Sequence, residues 1–408
     1  MGSSTHIGAT RRGDAGEVFT TFLRLGLTSF GGPIAHIGYL RRECVSRRGW
    51  LDDARFARLV ALCQFLPGPA SSQLGFALGL SRAGWRGGLA AFAGFTLPSA
   101  LAMFAFAILL PWLAGSQWLP SVVQGLKLLA VAVVAHGLAG MARRLAPDLP
   151  RGAIALAAAL PLLLAPPGAW MQLAVIAMGA AAGMLLLRGH DDATGDTRLA
   201  LPHGGRTALW LLGAWLVLLG FALVQPAAQA PGLGATFAAF YRAGSLVFGG
   251  GHVVLPLLSE AVVEPGWIDA GTFLAGYGAA QAVPGPMFSL AAFLGANLAD
   301  GAAAGMFAAT ALIALFLPGL LLVAALLPLQ ERLLRSPFAG GAMAGVNAAV
   351  VGLLAAAFYD PVWREGIRGP SDLAIAAIAL GLLASGRVPV LLVVAWCVAG
   401  SLVLSPPA

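Results

Sequence analysis

Apolar runs of about 20 residues, each long enough to cross a hydrocarbon core, recur along the whole chain. In order they cover 18–40, 55–81, 86–112, 121–141, 152–166 and 168–187, then 207–226, then 236–258, 271–297, 301–327, 339–358, 371–385 and 387–405. Short polar stretches separate them, and the longest, 188–206, carries Asp191, Asp192, Asp196, Arg188, Arg198 and Arg206. Four of the runs are interrupted. Phe30-Gly31-Gly32-Pro33 breaks the first and Leu66-Pro67-Gly68-Pro69 the second. Phe248-Gly249-Gly250-Gly251 and Val283-Pro284-Gly285-Pro286 break the two that follow 207–226.

The breaks belong to an internal repeat. Phe22, Arg24, Gly26, Phe30, Gly31 and Gly32 recur as Phe240, Arg242, Gly244, Phe248, Gly249 and Gly250. After one gap, Trp50, Asp52, Phe56, Gln64 and Pro67-Gly68-Pro69 recur as Trp267, Asp269, Phe273, Gln281 and Pro284-Gly285-Pro286, and Leu97-Pro98 recurs as Leu317-Pro318. Chance matching of apolar sequence gives scattered Ala and Leu, not Arg, Trp, Asp, Gln and Pro-Gly-Pro in one order. The chain divides into a polar tail at 1–17, a first membrane repeat at 18–187, a linker at 188–206, an extra connecting helix at 207–226 and a second repeat at 236–405. The tail reads as disordered and shows no removable signal peptide.

Six elements, one, then six start the second repeat on the opposite side of the membrane. Charge agrees. Eighteen of the 24 Lys and Arg precede 207. The loop 41–58 carries Arg41, Arg42, Arg47, Arg48, Arg55 and Arg58, whereas its counterpart 259–270 has Glu260, Glu264 and Asp269 and no basic residue. Equivalent loops facing opposite compartments mark an inverted-topology repeat. The fold class is therefore an all-α polytopic membrane protein of two inverted-topology repeats with broken or re-entrant helices. If the broken elements are hairpins, there are about 9 full spans plus 4 hairpins. If they cross, there are 13 spans. The hairpin count is preferred, because it places the tail, the 41–58 loop, Arg82 and Arg86 together in the cytoplasm. Both counts leave the N-terminus in the cytoplasm and the C-terminus outside.

Composition narrows the function. The chain is 59% hydrophobic and 10% charged, far from a water-soluble globule. A net charge of +7 does not signal nucleic acid, because the basic residues sit in short loops as the positive-inside rule describes. Cys44, Cys63 and Cys397 have neither metal nor disulfide spacing. A phosphate-binding Gly-x-x-x-x-Gly-Lys-Ser/Thr, a His-Glu-x-x-His and a Gly-x-Ser-x-Gly are all absent from the sequence, and Asp and Glu are nearly confined to loops. The chain reads as no enzyme and as needing no cofactor.

What remains is an anion site. Pro33, Pro69 and Pro286 sit where a helix could begin, and the glycines let backbone approach a ligand. A helix starting at membrane depth presents free N–H groups and partial positive charge to an anion. The candidate binding residues are accordingly Phe30, Gly31, Gly32, Pro33, Gln64, Pro67, Gly68 and Pro69 in the first repeat. Their counterparts are Gly249, Gly250, Gly251, Gln281, Pro284, Gly285 and Pro286. Ser71, Ser72 and Ser289 flank the turns as hydroxyl donors or helix caps. Intramembrane cations are functional candidates by default, which adds Arg24, Arg242 and Lys127, the only lysine, with Asn347 as its approximate repeat partner. Arg24 lies only about one and a half turns into its helix, where snorkelling is the alternative. His36 and His252 follow the first breaks and could relay a proton or simply pack.

These motifs resemble the chromate transporter (chromate ion transporter, CHR) family in its long, two-domain form, over about residues 18–400. The resemblance rests on Phe30-Gly31-Gly32-Pro33-Ile34-Ala35-His36, Glu43, Trp50-Leu51 and Cys63 to Pro69. In the second half it rests on Phe248 to His252, Val254 to Leu257, Gly266-Trp267 and Gly276 to Pro286. It implies a multi-pass protein of the bacterial inner membrane whose partners are the lipid bilayer and chromate, which it exports. Sulfate, the structural analogue of chromate, is the second substrate to consider. A homo-oligomer is compatible with the sequence.

Overall fold

The computed structural model describes residues 13–30, 32–112, 116–164, 169–187, 205–225, 230–248, 253–329 and 337–404, all in helices and short connections. Most of the proposed tail and the linker 188–204 lie outside the described residues, as do Gly31, Gly249, Gly250, Gly251 and His252. Helix α1 (Ala15–Thr28) already includes residues 15–17, assigned to the tail from sequence. Then come α2 (Gly32–Arg41), α3 (Asp53–Phe65), α4 (Ala70–Trp112), α5 (Leu119–Leu145), α6 (Leu149–Leu164) and α7 (Ala169–Leu186). The connecting helix is α8 (Gly205–Val224). The second repeat holds α9 (Leu233–Leu246), α10 (Val254–Val262), α11 (Ala270–Ala282), α12 (Leu290–Ala296) and α13 (Ala303–Leu326). It ends with α14 (Pro337–Ala357), α15 (Pro370–Ser385) and α16 (Val390–Leu404).

Each interrupted run is thus two helices. The recurring Asp52 and Asp269 are caps: their carboxylates accept from the amides of Arg55 and Thr272 at 2.8 and 2.9 Å and start α3 and α11. Helices α1, α2 and α3 have 14, 10 and 13 residues, or roughly 21, 15 and 20 Å, short of a hydrocarbon core of about 30 Å. They also return to the end they leave. Glu17, at the start of α1, pairs with Arg82 at 3.1 Å and Arg48 at 3.4 Å. The Gly13 amide donates to the Arg82 carbonyl at 3.0 Å, and both guanidinium groups lie over Trp50. The start of α1, the 42–50 turn and residue 82 therefore share one end of the molecule.

At that end α4 folds back on itself. Ala83 and Gly84 leave helical geometry, with Gly84 at φ +65°, and the two limbs touch at Gly79 and Gly87, where a Cβ on either would meet the other's carbonyl at 2.3 Å. Five helical stretches among the described residues are long and apolar enough to cross a bilayer: Ala70–Trp112, Leu119–Leu145, Gly205–Val224, Ala303–Leu326 and Gly340–Gly366.

The repeats interlock through their later helices. α5 packs on α15 and α16 of the second repeat, while its counterpart α14 packs on α6 and α7 of the first. Close approach depends on small residues. Gly179 and Gly183 of α7 face Gly341 and Gly345 of α14, each pair spaced four apart, the arrangement that lets membrane helices touch backbone to backbone. A Cβ on Gly345 would lie 2.0 Å from the Gly179 carbonyl oxygen, so nothing flexible can yield. Gly345→Leu is expected to abolish accumulation of folded protein. Gly340→Leu, where a Cβ meets nothing within 4 Å, should be tolerated. Fluorescence-detected size exclusion of both variants checks this pair.

Candidate functional site

The two Pro-Gly-Pro turns dock into each other's repeats. α3 ends at Leu66, whose backbone is extended, and Gly68 then takes φ +122°. Its amide donates to the Val247 carbonyl of the second repeat at 2.7 Å. In the second repeat, α11 ends at Val283 and Gly285 takes φ +102°. Its amide donates to the Ser29 carbonyl of the first repeat at 2.9 Å. Ser29 and Val247 are equivalent, each one residue before the Phe-Gly-Gly break. The second contact of each turn is also reciprocal. A Cβ on Gly68 would lie 2.9 Å from the Cα of Gly319, and one on Gly285 would lie 3.0 Å from Ser99 Oγ. Gly319 and Ser99 both follow the recurring Leu-Pro. Each turn therefore sits in the other repeat, between the end of the broken first helix and the proline-containing long helix.

Helices restart immediately after the turns, α4 at Ala70 and the short turn Met287–Ser289 that leads into α12. The Ser72 and Gln73 amides close onto the Pro69 carbonyl at 2.9 Å and the Ser289 amide onto that of Pro286 at 3.0 Å, so each restart is tied to its own turn. Polar side chains collect at the crossing. Gln73 is fully buried, and its Nε2 donates to the carbonyls of Pro67 at 2.9 Å and Gly319 at 3.1 Å, tying turn to partner helix. Ser72 and Ser289, each three residues past the second proline of its turn, are buried with Oγ unpartnered among the described residues. Ser29 Oγ, Thr96 Oγ1 and Gln73 Oε1 are in the same condition. A buried polar atom left unsatisfied costs about 1–3 kcal/mol, so this concentration of open donors and acceptors at an inter-repeat crossing suits a polar ligand.

The structure brings some sequence candidates here and leaves others apart. Gly68, Pro69, Gly285 and Pro286 are at the crossing, with Pro67 accepting from Gln73. His36 is buried beside it, its Nε2 3.2 Å from the Ser29 carbonyl and its ring edge-on to Phe95. Gln281 Nε2 reaches Met287 Sδ at 2.6 Å, whereas Gln64 is exposed at the end of α3. Arg24 is exposed on α1, with no acidic partner among the described residues. Its counterpart Arg242 is mostly covered and lies 3.9 Å from Glu260. Lys127 is buried on α5 at 3.8 Å from Glu365 and beside Gly271 near the start of α11. Twelve residues of α11, roughly 18 Å, separate Gly271 from the second turn. Asn347 is half-buried with its Oδ1 unpartnered among the described residues. Sequence reasoning missed Ser29, Gln73, Thr96, Ser99 and Gly319. The repeated Leu-Pro pointed one residue short of Ser99 and Gly319.

The two ends of the molecule differ electrostatically. At the Arg-rich end, burial alone would raise the Glu43 carboxyl, but hydrogen bonds from Arg48 and Arg47 outweigh it and hold it below the ordinary carboxylate range. In the acidic 263–269 turn, burial and the nearby Glu260 push Glu264 up to about 7. Folding then takes up a proton between the ordinary carboxylate range and pH 7, so ionised Glu264 destabilises the fold above that window and has no effect below it. Glu264→Gln should raise the melting temperature at pH 8 and change it little at pH 5. An equal gain at both pH values in detergent would contradict this assignment.

The family described as chromate transporter matches residues 16–184 and 234–402. A chromate transport protein of Pseudomonas aeruginosa is 30% identical over 373 residues, covering 90% of this chain and 86% of its own. One from Cupriavidus metallidurans is 28% identical, covering 89% and 86%. An uncharacterized transporter of Methanocaldococcus jannaschii is 26% identical, covering 83% and 82%. No solved structure matches.

Proposed function

The chain belongs to the chromate transporter family, and from that premise we propose that it exports chromate by alternating access between its two repeats. It is a multi-pass membrane transport protein, not an enzyme. The observation that carries the finer reading is the reciprocal docking of the two Pro-Gly-Pro turns, with unpartnered buried hydroxyls beside them. An isolated dianion in an apolar interior costs tens of kcal/mol, so its site needs many convergent donors. The crossing offers the hydroxyls of Ser72 and Ser289 beside the α4 and α12 restarts, while Arg24 lies apart on the exposed face of α1. Neutral donors with a distant cation suit an anion that must also leave. Export runs with the field: moving two negative charges out of an inside-negative cell is favoured by about 4.6 kcal/mol per 100 mV. Sulfate has the same shape and charge and competes for the same donors.

The shared end of residues 13–17, 48–50 and 82 supports re-entrant pairs and a nine-span arrangement. The Arg-rich end then faces the cytoplasm of a bacterial inner membrane and the C-terminus faces outside. In intact cells, Gly49→Cys should resist a membrane-impermeant maleimide and Pro265→Cys should react, against a parent whose three cysteines are buried. Labelling of Gly49→Cys from outside would favour thirteen crossings. Transport itself is tested with labelled chromate and inside-out vesicles. Chain-dependent, energised uptake that survives excess sulfate supports a chromate exporter. Absence of uptake in vesicles shown to contain the protein rejects it.

A further inference from the structure

The two repeats are related in sequence but not in how they close. α11 is wedged between the repeats: it packs on α4, α5, α12 and α16. Every residue from 273 to 280 is buried, and a Cβ on Gly278 would lie 2.1 Å from the Leu126 carbonyl of α5. Its counterpart α3 packs on α2 and α4 and, among the described residues, makes no comparable contact with α14, the counterpart of α5. The face of α3 equivalent to Leu274, Gly278 and Gln281 is Ala57, Ala61 and Gln64, and all three are exposed. They lie at helical spacing, and none is a large apolar residue of the kind that faces lipid. The same element is thus docked in one repeat and undocked in the other.

The docked side carries a charge cluster that has no equivalent on the undocked side among the described residues. Lys127 of α5 is 4% exposed and lies 3.8 Å from Glu365. A Cβ on Gly271 would sit 2.6 Å from its Nζ and 3.0 Å from Oδ1 of Asp269, the cap of α11. Next to it, Gln124 donates to the Gly366 carbonyl at 2.8 Å and to Asp372 at 3.1 Å. One turn of α5 therefore grips both the start of α11 and the 364–372 segment. The equivalent of Lys127 is Asn347, whose Oδ1 has no partner among the described residues. The cap that would meet it, Asp52, is exposed.

We infer that α11 against α5 and α3 against α14 are the two gates of the pathway, that here the first is shut and the second open, and that Lys127 is the latch holding the shut one. This rests on the alternating-access reading above. It makes Lys127 a positioning residue, about 18 Å along α11 from the Pro-Gly-Pro turn, whose work is to seal the acidic, external end while the Arg-rich end is open to load. The opposite state follows by exchange: α11 leaves α5, and Ala57, Ala61 and Gln64 of α3 dock on α14 beside Asn347. With asparagine in place of lysine, the second gate is the weaker, so the loading state is the resting one.

The test reads gate positions rather than transport. In intact cells, Leu274→Cys reports the α11 gate through labelling by an impermeant maleimide from the external face. Ala61→Cys with Val346→Cys reports the α3 gate through oxidative cross-linking. Adding Lys127→Met should raise both signals by about fivefold or more, the lower end of ordinary coupling between a switch and its two states. Lys127→Arg should leave both near the parent value. Glu365→Gln, at the more exposed partner, should shift both in the same direction by less, and it keeps the test alive if Lys127→Met does not accumulate. Unchanged labelling and cross-linking in Lys127→Met and Glu365→Gln would remove the latch. A rise in α11 labelling without any α3 cross-link would reduce Lys127 to a local packing role. Chromate uptake by the unmodified chain is measured in inside-out vesicles prepared from the same cells: its failure sinks the substrate reading, whereas the gate signals stand or fall independently of it.

Discussion

Gly68→Ala is expected to abolish chromate transport and to lower the yield of folded protein, with Gly285→Ala a milder version of the same defect. Both glycines hold φ values, +122° and +102°, that an alanine adopts only at a cost of about 1–3 kcal/mol. The difference lies in what the new methyl meets. At Gly68 it lies 2.9 Å from the Cα of Gly319, and backbone in a packed helix does not move aside. That overlap adds about 1–3 kcal/mol. The total of about 2–6 kcal/mol is a large fraction of a typical domain's stability of about 5–15 kcal/mol. At Gly285 the nearest atom is Ser99 Oγ at 3.0 Å, a hydroxyl that can rotate, with the Gly26 carbonyl at 3.2 Å behind it. Yield and transport rate of the two variants, measured side by side, should fall in that order. Equal transport by Gly68→Ala and the parent would mean that the crossing does not have this geometry in the membrane.

The second large effect has opposite signs on stability and on function. Ser72→Ala combined with Ser289→Ala should leave the melting temperature unchanged or raise it, because each removes a buried hydroxyl that has no partner among the described residues. The same change should cost transport heavily. A hydrogen bond to a charged group contributes about 1.5–3 kcal/mol, so each lost donor should raise the chromate concentration for half-maximal transport by roughly 10- to 150-fold. A serine that merely packs would show the same effect on stability without the loss of affinity. The single variants should each show an intermediate loss, since the hydroxyls come from different repeats. Thermal shift and concentration-dependent vesicle uptake on the same preparations separate these outcomes.

Much of this architecture was legible because its markers are scarce in apolar sequence. Arg24 and Arg242, Asp52 and Asp269, and the two Pro-Gly-Pro runs stand out against Ala and Leu, and their common order reveals the repeat. The arginines of the 41–58 loop gave one end of the molecule its sign. Asp52 and Asp269 were visible as repeated residues but not as caps, since a cap is recognised only once the helix start is known. The reciprocal docking was invisible. Gly68 meets Val247, and Gly285 meets Ser29, across sequence separations that no periodicity reports. Gln73 looked like one more polar residue after a turn. Gly179, Gly183, Gly341 and Gly345 were hidden among 54 glycines, because only the facing helix shows which of them carry a close contact. Lys127 stands out in the sequence as a cation inside an apolar run, but its neighbours Glu365 and Asp269 come from the other repeat and could not be read from its surroundings in sequence.

The central claim is that the transported oxyanion sits at the crossing of the two turns. The most direct measurement is a crystal structure of the protein with chromate, in which the anomalous scattering of chromium locates the ion without reference to side-chain density. One dominant peak is expected between the Pro67-Gly68-Pro69 and Pro284-Gly285-Pro286 turns, within hydrogen-bond reach of the Ser72 or Ser289 hydroxyl. A dominant peak at Lys127, or among the arginines of the 41–58 loop with none at the crossing, would contradict it.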